Sequence, residues 1–137
     1  MKFYRLLSVA AATLLSLFTA AAQNQQPLTP EQREKQMLES IEKEVQRLSG
    51  LLDLEYWQEF YVDSILVHDL LARDEEIQSM AAAKVGNPDL YQAIYDKWAE
   101  QIDNSYKRFF TEEQWDKYWR TGGKKAKESR DKRRKKK

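Results

Sequence analysis

The sequence contains no cysteine among its 137 residues, so no disulfide can stabilise the chain and no thiolate can bind a metal or attack a substrate. It contains one histidine, His68, whereas zinc sites built without cysteine usually need more than one. Four glycines and three prolines are too few for the many turns of a β-sandwich. These absences favour a helical protein held together by packing, with no metal and no cofactor.

The sequence also lacks the short motifs of common enzyme classes. It has no glycine-rich phosphate loop and no serine in a G-x-S-x-G setting. The acidic run Asp74-Glu75-Glu76 is better interpreted as a solvated turn or helix surface than as a catalytic carboxylate pair. The acids nearest to His68 in the chain are Asp63 and Asp69, which we expect to lie off its helix face. We therefore expect a protein that is not an enzyme.

The first 22 residues have the pattern of a secretory signal peptide. Lys2 and Arg5 precede an apolar stretch over residues 6–18, and Ala20-Ala21-Ala22 supplies a small-residue cleavage site before Gln23. An uncleaved membrane anchor is the weaker interpretation, because a spanning helix needs roughly 20 apolar residues. We predict a signal peptide over 1–22, a leader linker over 23–29 and a soluble periplasmic product.

The rest of the chain shows helical periodicity. We predict an all-α domain over 30–121, an antiparallel helical hairpin bundle of about four helices. The predicted helices cover 30–48, about 53–84, 88–109 and 112–120. Ser49-Gly50 should end the first helix and Gly122-Gly123 the last.

The second predicted helix has no wide polar face. A helix that is apolar nearly all round is normally surrounded by protein, and the other predicted helices are too few to surround it. Either this helix breaks near residues 73–76 or a second copy covers it, and we favour a homodimer. The candidate apolar binding or dimer surface consists of Trp57, Phe60, Tyr61 and Ile65. For any single tryptophan, however, a place in the core is the default interpretation.

Charge is distributed unevenly along the chain. Residues 124–137 carry ten Lys or Arg and two acids, whereas residues 23–123 carry eleven Lys or Arg and twenty acids. Blocks of like charge are usually disordered, so we predict a disordered basic tail over 122–137. Its candidate contacts with an anionic membrane surface are Arg130, Lys132, Arg133, Arg134, Lys135, Lys136 and Lys137. We expect no nucleic-acid partner, because the protein is exported and the tail lacks aromatic residues for base stacking.

A five-residue phrase occurs twice and is half repeated once. The complete copies are Leu28-Thr29-Pro30-Glu31-Gln32 and Phe110-Thr111-Glu112-Glu113-Gln114, and the partial copy is Leu54-Glu55-Tyr56-Trp57-Gln58. In each complete copy the threonine is placed to cap a helix and the glutamine to bond back to the cap residue, which is a capping box. We therefore assign Thr29, Gln32, Thr111 and Gln114 as helix-cap residues.

An exported, cysteine-free, helical chain with these L-T-x-x-Q phrases resembles the Spy/CpxP family of periplasmic stress proteins. The first complete copy matches the motif fully, and the second differs only in Phe110 for leucine. The resemblance implies an antiparallel four-helix hairpin assembly that dimerises into a curved cradle. It also implies an ATP-independent chaperone or a modulator of envelope-stress sensing, and some relatives respond to metals.

Three functions follow from these patterns. The first is a Spy/CpxP-like periplasmic chaperone or envelope-stress accessory protein, with unfolded or envelope proteins as clients. The second is a structural or adaptor protein that the basic tail tethers to the anionic envelope surface. The third is a metal-responsive periplasmic relative.

Overall fold

The computed structural model describes residues 27–136. The predicted signal peptide, its cleavage site and most of the leader linker lie outside these residues. Contacts divide the chain into two units, Met1–Pro30 and Glu31–Lys137, and the following description concerns the second unit and the helix start at Pro30.

The described part of the chain is all-helical and has no strand, which confirms the predicted all-α class. Its helices are α1 (Pro30–Leu52), α2 (Tyr56–Ala82), α3 (Pro88–Phe109), α4 (Glu112–Tyr118) and α5 (Lys124–Lys135). No helix within residues 27–136 combines the length and the apolar character needed to cross a bilayer.

The helix α1 continues past its predicted stop. Gly50 lies inside the helix, with no atom within 4 Å of where a Cβ would stand. The residue in the left-handed region is Asp53, whose φ is 52°, and the Leu54 N–H donates to the Ser49 carbonyl at 3.3 Å. Aspartate tolerates this conformation better than most residues, so the turn needs no glycine.

The helix α2 is continuous through residues 73–76, where a break was one of the two predicted alternatives. Arg73 directly precedes the acidic run in this stretch. Its guanidinium lies over the Tyr95 ring of α3, 5.0 Å from the ring centroid. Glu76 accepts a hydrogen bond from the Trp98 indole at 2.9 Å and pairs with Lys97. Because all of these partners lie on α3, this stretch of α2 is held by tertiary contacts.

The helix α3 has the predicted bounds. The Asn87 side chain caps its start by accepting a hydrogen bond from the Asp89 N–H at 3.0 Å, and Pro88 occupies the first turn. Both features are local, so they can be read from four consecutive residues.

The hydrophobic core lies among α1, α2 and the end of α3. Buried apolar side chains from these helices and their connections form one cluster: Ile41, Leu48, Leu52, Leu54, Val62, Leu66, Tyr106 and Phe110. The Tyr106 ring stacks on Phe110 with centroids 5.0 Å apart, and α4 adds Tyr118 against Tyr106 at 5.5 Å. Burial raises the pKa of the Tyr106 hydroxyl well above its ordinary value.

The C-terminal residues differ from the predicted disordered tail. The segment Trp119–Gly123 contains a kink at Gly122, whose φ of 165° and ψ of −23° are non-helical, and the helix α5 follows. Gly123 is buried, and a Cβ there would stand 3.0 Å from a ring carbon of Trp119. Gly123 therefore permits a close approach of backbone and ring, and the neighbouring Gly122 interrupts the helix as predicted.

Candidate binding surfaces

The second capping box is present as predicted at the start of α4. The Thr111 hydroxyl accepts a hydrogen bond from the Gln114 N–H at 3.2 Å, and the Gln114 side-chain oxygen accepts from the Thr111 N–H at 3.0 Å. At the first copy, α1 begins at Pro30, as expected for proline at the first helical position, and both Thr29 and Gln32 are exposed. Thr111 and Gln114 therefore order the start of α4, whereas the cap by Thr29 and Gln32 stays a prediction.

The glutamine of the partial copy, Gln58, makes structural contacts that the sequence analysis missed. Gln58 is 2% exposed, and its side-chain oxygen accepts the Glu55 N–H at 3.0 Å, as the third residue of a helix does in a capping box. The side-chain amides of Gln58 and Gln114 also bind each other reciprocally, at 2.7 and 2.9 Å. The shared final glutamine of the two phrases was the sequence signal for this pair.

This amide pair fixes the start of α2 beside the start of α4. The Gln58 amide also donates to the carbonyl of Phe109, the last residue of α3, at 3.3 Å. Three helix termini therefore meet at one buried glutamine. The first turn of α2 is oriented by these bonds, so its side chains stand in defined positions.

An aromatic patch covers the exposed side of that first stretch of α2. Its members are Tyr56, Trp57, Phe60 and Tyr61, with 87%, 46%, 63% and 52% of their surface exposed, respectively. Ring contacts connect the patch, since Tyr61 lies 6.0 Å from Trp57 and 6.1 Å from Phe60 between centroids. Phe109 of α3 extends it, 5.8 Å from Tyr61 and 6.2 Å from Trp57.

Three of the four residues predicted for the apolar surface belong to this patch. The fourth, Ile65, is half-buried and packs against the core. Tyr56, the most exposed member, was not among the predicted surface residues. It stands one helical turn before Phe60, so it shares that face of the helix.

The patch lies in an acidic part of the chain. Between Ser49 and Ala72 there are five carboxylates and no Lys or Arg. Glu55 accepts a hydrogen bond from the Trp57 indole, and Asp63 is exposed one turn beyond Glu59. Arg108, which directly precedes Phe109 in the chain, is positively charged and exposed.

His68 is solvent-facing, with 76% of its side chain exposed, and its Nδ1 lies 2.8 Å from the Asp69 carboxylate. The sequence analysis placed Asp69 off the face of His68, but the flexible side chains of adjacent residues meet. Asp69 is itself buried and accepts a hydrogen bond from Gln101 of α3 at 3.0 Å. Within residues 27–136 no group of three or more metal-ligating side chains is assembled.

A buried ion pair attaches α5 to α3. Arg130 and Asp103 are 6% and 9% exposed, and the Arg130 guanidinium donates to the Asp103 carboxylate. The second oxygen of Asp103 accepts the Tyr118 hydroxyl at 2.6 Å. Burial and this bond to a carboxylate raise the pKa of Tyr118 above its ordinary value.

Two further arginines extend the attachment along α3. Arg133 makes a bidentate contact with Asp96 at 2.7 and 3.0 Å, and this guanidinium lowers the pKa of the Asp96 carboxyl. Arg134 binds Glu100 at 2.6 Å. The predicted contact of Arg130 with an anionic surface needs correction, because Arg130 is buried and bound to Asp103. For Arg133 and Arg134, which bind carboxylates of α3, that contact stays a prediction.

The remaining predicted tail contacts are lysines. Lys132, Lys135 and Lys136 are exposed, whereas Lys137 lies outside the described residues. The sequence could not separate these lysines from the arginines, because both are positive and both belong to one run.

No family model, no curated protein and no solved structure matches this chain.

Proposed function

We propose that this protein is an exported helical chaperone that holds unfolded envelope proteins without nucleotide, as its resemblance to the Spy/CpxP family implies. The observation that carries the proposal is the aromatic patch of Tyr56, Trp57, Phe60 and Tyr61. Contiguous exposed apolar surface on a soluble protein marks a binding site. Aromatic side chains suit this role because they bury much area with little loss of rotamer freedom.

The charge around the patch suggests which clients bind best. Glu55, the residue before α2, and Asp63 within it are both exposed, and residues 49–72 contain no lysine or arginine. A segment that combines apolar and basic residues would gain attraction from these carboxylates, and an acidic segment would be repelled. We propose that clients with such apolar and basic segments bind preferentially.

Two further elements of the proposal concern assembly. We propose that the helices form antiparallel hairpins and that two copies associate through a contact outside the aromatic patch, which leaves the patch open to clients. Sedimentation at micromolar concentration tests the second point, and a dimer is expected. A well-folded monomer at that concentration would contradict it.

Suppression of client aggregation tests the function. The double variant Tyr56→Ser and Phe60→Ser removes the two most exposed patch residues. We expect this variant to lose most of the suppression that the wild type shows in light scattering, with an unchanged thermal midpoint.

The matched control is Leu38→Ser and Leu90→Ser, which removes two other exposed apolar side chains, on α1 and α3. It should suppress aggregation like the wild type. Equal loss in both double variants would mean that general hydrophobicity, not the patch, holds the client. No suppression by the wild type would overturn the proposed function.

The alternative function is an adaptor tethered to the anionic envelope. Only the lysines of the basic tail support it, since three arginines are engaged by α3. No observation within residues 27–136 supports a metal-responsive role.

A further inference from the structure

The helix α5 separates its arginines from its lysines. At about 100° per residue, Arg130, Arg133 and Arg134 fall within one arc of roughly 100°. This is the arc that faces the carboxylates of α3. A second arc of about 100° holds four lysines that the same geometry places on the other side of the helix: Lys124, Lys125, Lys132 and Lys135.

These four lysines, named here the lysine face, are all exposed. None of their ammonium groups has a hydrogen-bond or ion-pair partner within residues 27–136. The single acid on the same arc is Glu128, whereas Asp131 at its margin is paired with Lys127 at 2.6 Å. The face therefore carries three net positive charges that the fold does not use.

The division of roles fits the chemistry of the two side chains. Arginine binds a carboxylate through a planar fork, and Arg133 does so here with both oxygens of Asp96. Lysine is a compact charge on a flexible stem, which suits a surface whose anions have no fixed positions. A helix of 12 residues extends about 18 Å, so its lysines can reach one plane together.

We propose that the lysine face binds an anionic phospholipid membrane surface while the arginines keep α5 attached to α3. Phospholipid is favoured over nucleic acid because the face holds no aromatic side chain on which bases could stack. This site lies on α5, apart from the aromatic patch of α2, and does not depend on the chaperone function. The fold presents the charge as a rigid stripe instead of a loose tail.

The test compares two variants of the exported protein with the same change in net charge. The first replaces Lys124, Lys125, Lys132 and Lys135 with glutamine on the lysine face. The matched control makes the same replacement at four exposed lysines elsewhere: Lys35, Lys43, Lys84 and Lys117. Co-sedimentation is measured with phosphatidylcholine vesicles, with and without phosphatidylglycerol.

The wild type and the control variant should bind vesicles that contain phosphatidylglycerol and not those of phosphatidylcholine alone. The lysine-face variant should bind at least about a hundredfold more weakly, because each lysine near such a surface contributes about fivefold. Its thermal midpoint should match the wild type, since the replaced ammonium groups have no partner in the fold.

Equal weakening in both variants would overturn the proposal, because net charge alone would then explain binding. Wild-type binding by the lysine-face variant would also overturn it. Binding to an RNA duplex is measured as well, because nucleic acid is the alternative partner of the lysine face. Binding of that RNA without binding to phosphatidylglycerol vesicles would replace the membrane proposal with a nucleic-acid one.

Discussion

The buried side chain of Gln58 connects the ends of three helices. It closes the capping box of α2, binds the Gln114 amide of α4 and donates to the last carbonyl of α3. A buried amide is tolerated only when its donors and acceptors are satisfied, and these contacts meet that condition. The same bonds position Trp57 beside Phe109, so a buried polar residue supports an exposed apolar surface.

Replacing Gln58 with alanine should therefore destabilise the protein. It leaves buried groups of Gln114 and Phe109 without a partner, and we expect a loss of about 2–3 kcal/mol in the free energy of unfolding. The matched control is Gln46→Ala, an exposed glutamine with one weak contact to Glu42, which should change it by less than about 0.5 kcal/mol. Urea unfolding measures both, and equal midpoints would contradict the role of Gln58.

For the substitution Gly50→Ala, the sequence pattern and the structure predict opposite changes in stability. If Gly50 ended α1 in a left-handed conformation, as the pattern suggests, alanine there would destabilise the chain. In the structure Gly50 lies within α1 and not in the left-handed region, with open space where a Cβ would stand. Gly50→Ala should therefore stabilise the protein by about 0.5–1 kcal/mol in chemical denaturation. A loss of stability would place the helix end at Gly50.

At the scale of elements, the main feature is that ion pairs attach α5 to α3. The three arginines are spaced at 130, 133 and 134 and meet carboxylates at 103, 96 and 100 of α3. Only the first pair is buried, so it dominates the attachment, whereas exposed pairs contribute little.

Removing the buried cation should release α5. Arg130→Met leaves Asp103 buried with only the Tyr118 hydroxyl as a partner, and we expect a loss of about 3 kcal/mol or more. Lys132→Met on the same helix also removes one positive charge, and it should leave stability nearly unchanged because Lys132 is exposed. Circular dichroism and thermal unfolding report both effects. A stable Arg130→Met variant with full helicity would mean that the pair does not hold α5.

Acid should weaken the second attachment. Because Arg133 lowers the pKa of Asp96, the unfolded chain binds a proton there at a higher pH than the folded chain does. The stabilisation is therefore present above the ordinary aspartate pKa of about 4 and is lost as pH falls through the lowered value. Asp96→Asn should reduce stability near neutral pH and make no difference at strongly acidic pH. An effect that persists in acid would exclude the charge as its cause.

How far the elements could be predicted depends on the range of the interactions that form them. The bounds of α3 and the cap at Thr111 rest on neighbouring residues, so the sequence was sufficient for them. The order in α5 rests on Arg130 and Asp103, which are 27 positions apart, and no local pattern reveals such a pair. The exposed aromatic residues of α2 were predicted only as one alternative, because helical spacing does not show which side chains a neighbour covers.

At the scale of the whole molecule, charge and apolar surface have separate places. The acidic part of the chain binds the arginines of its own basic segment, so the charge asymmetry of the sequence is partly neutralised within the fold. The positive charge that remains is the lysine face of α5, and the apolar surface that remains is the aromatic patch of α2. We infer two binding surfaces with different chemistry, one for unfolded protein and one for anionic lipid.

Site-specific photo-crosslinking tests the central proposal, binding of clients at the aromatic patch, most directly. A photoreactive phenylalanine analogue replaces Phe60 in one variant and Leu90 of α3 in the other, both exposed apolar positions. With an unfolded client and no nucleotide, position 60 should form crosslinks and position 90 should form few or none. Equal crosslinking at the two positions, or none at position 60 while client aggregation is still suppressed, would contradict the proposal.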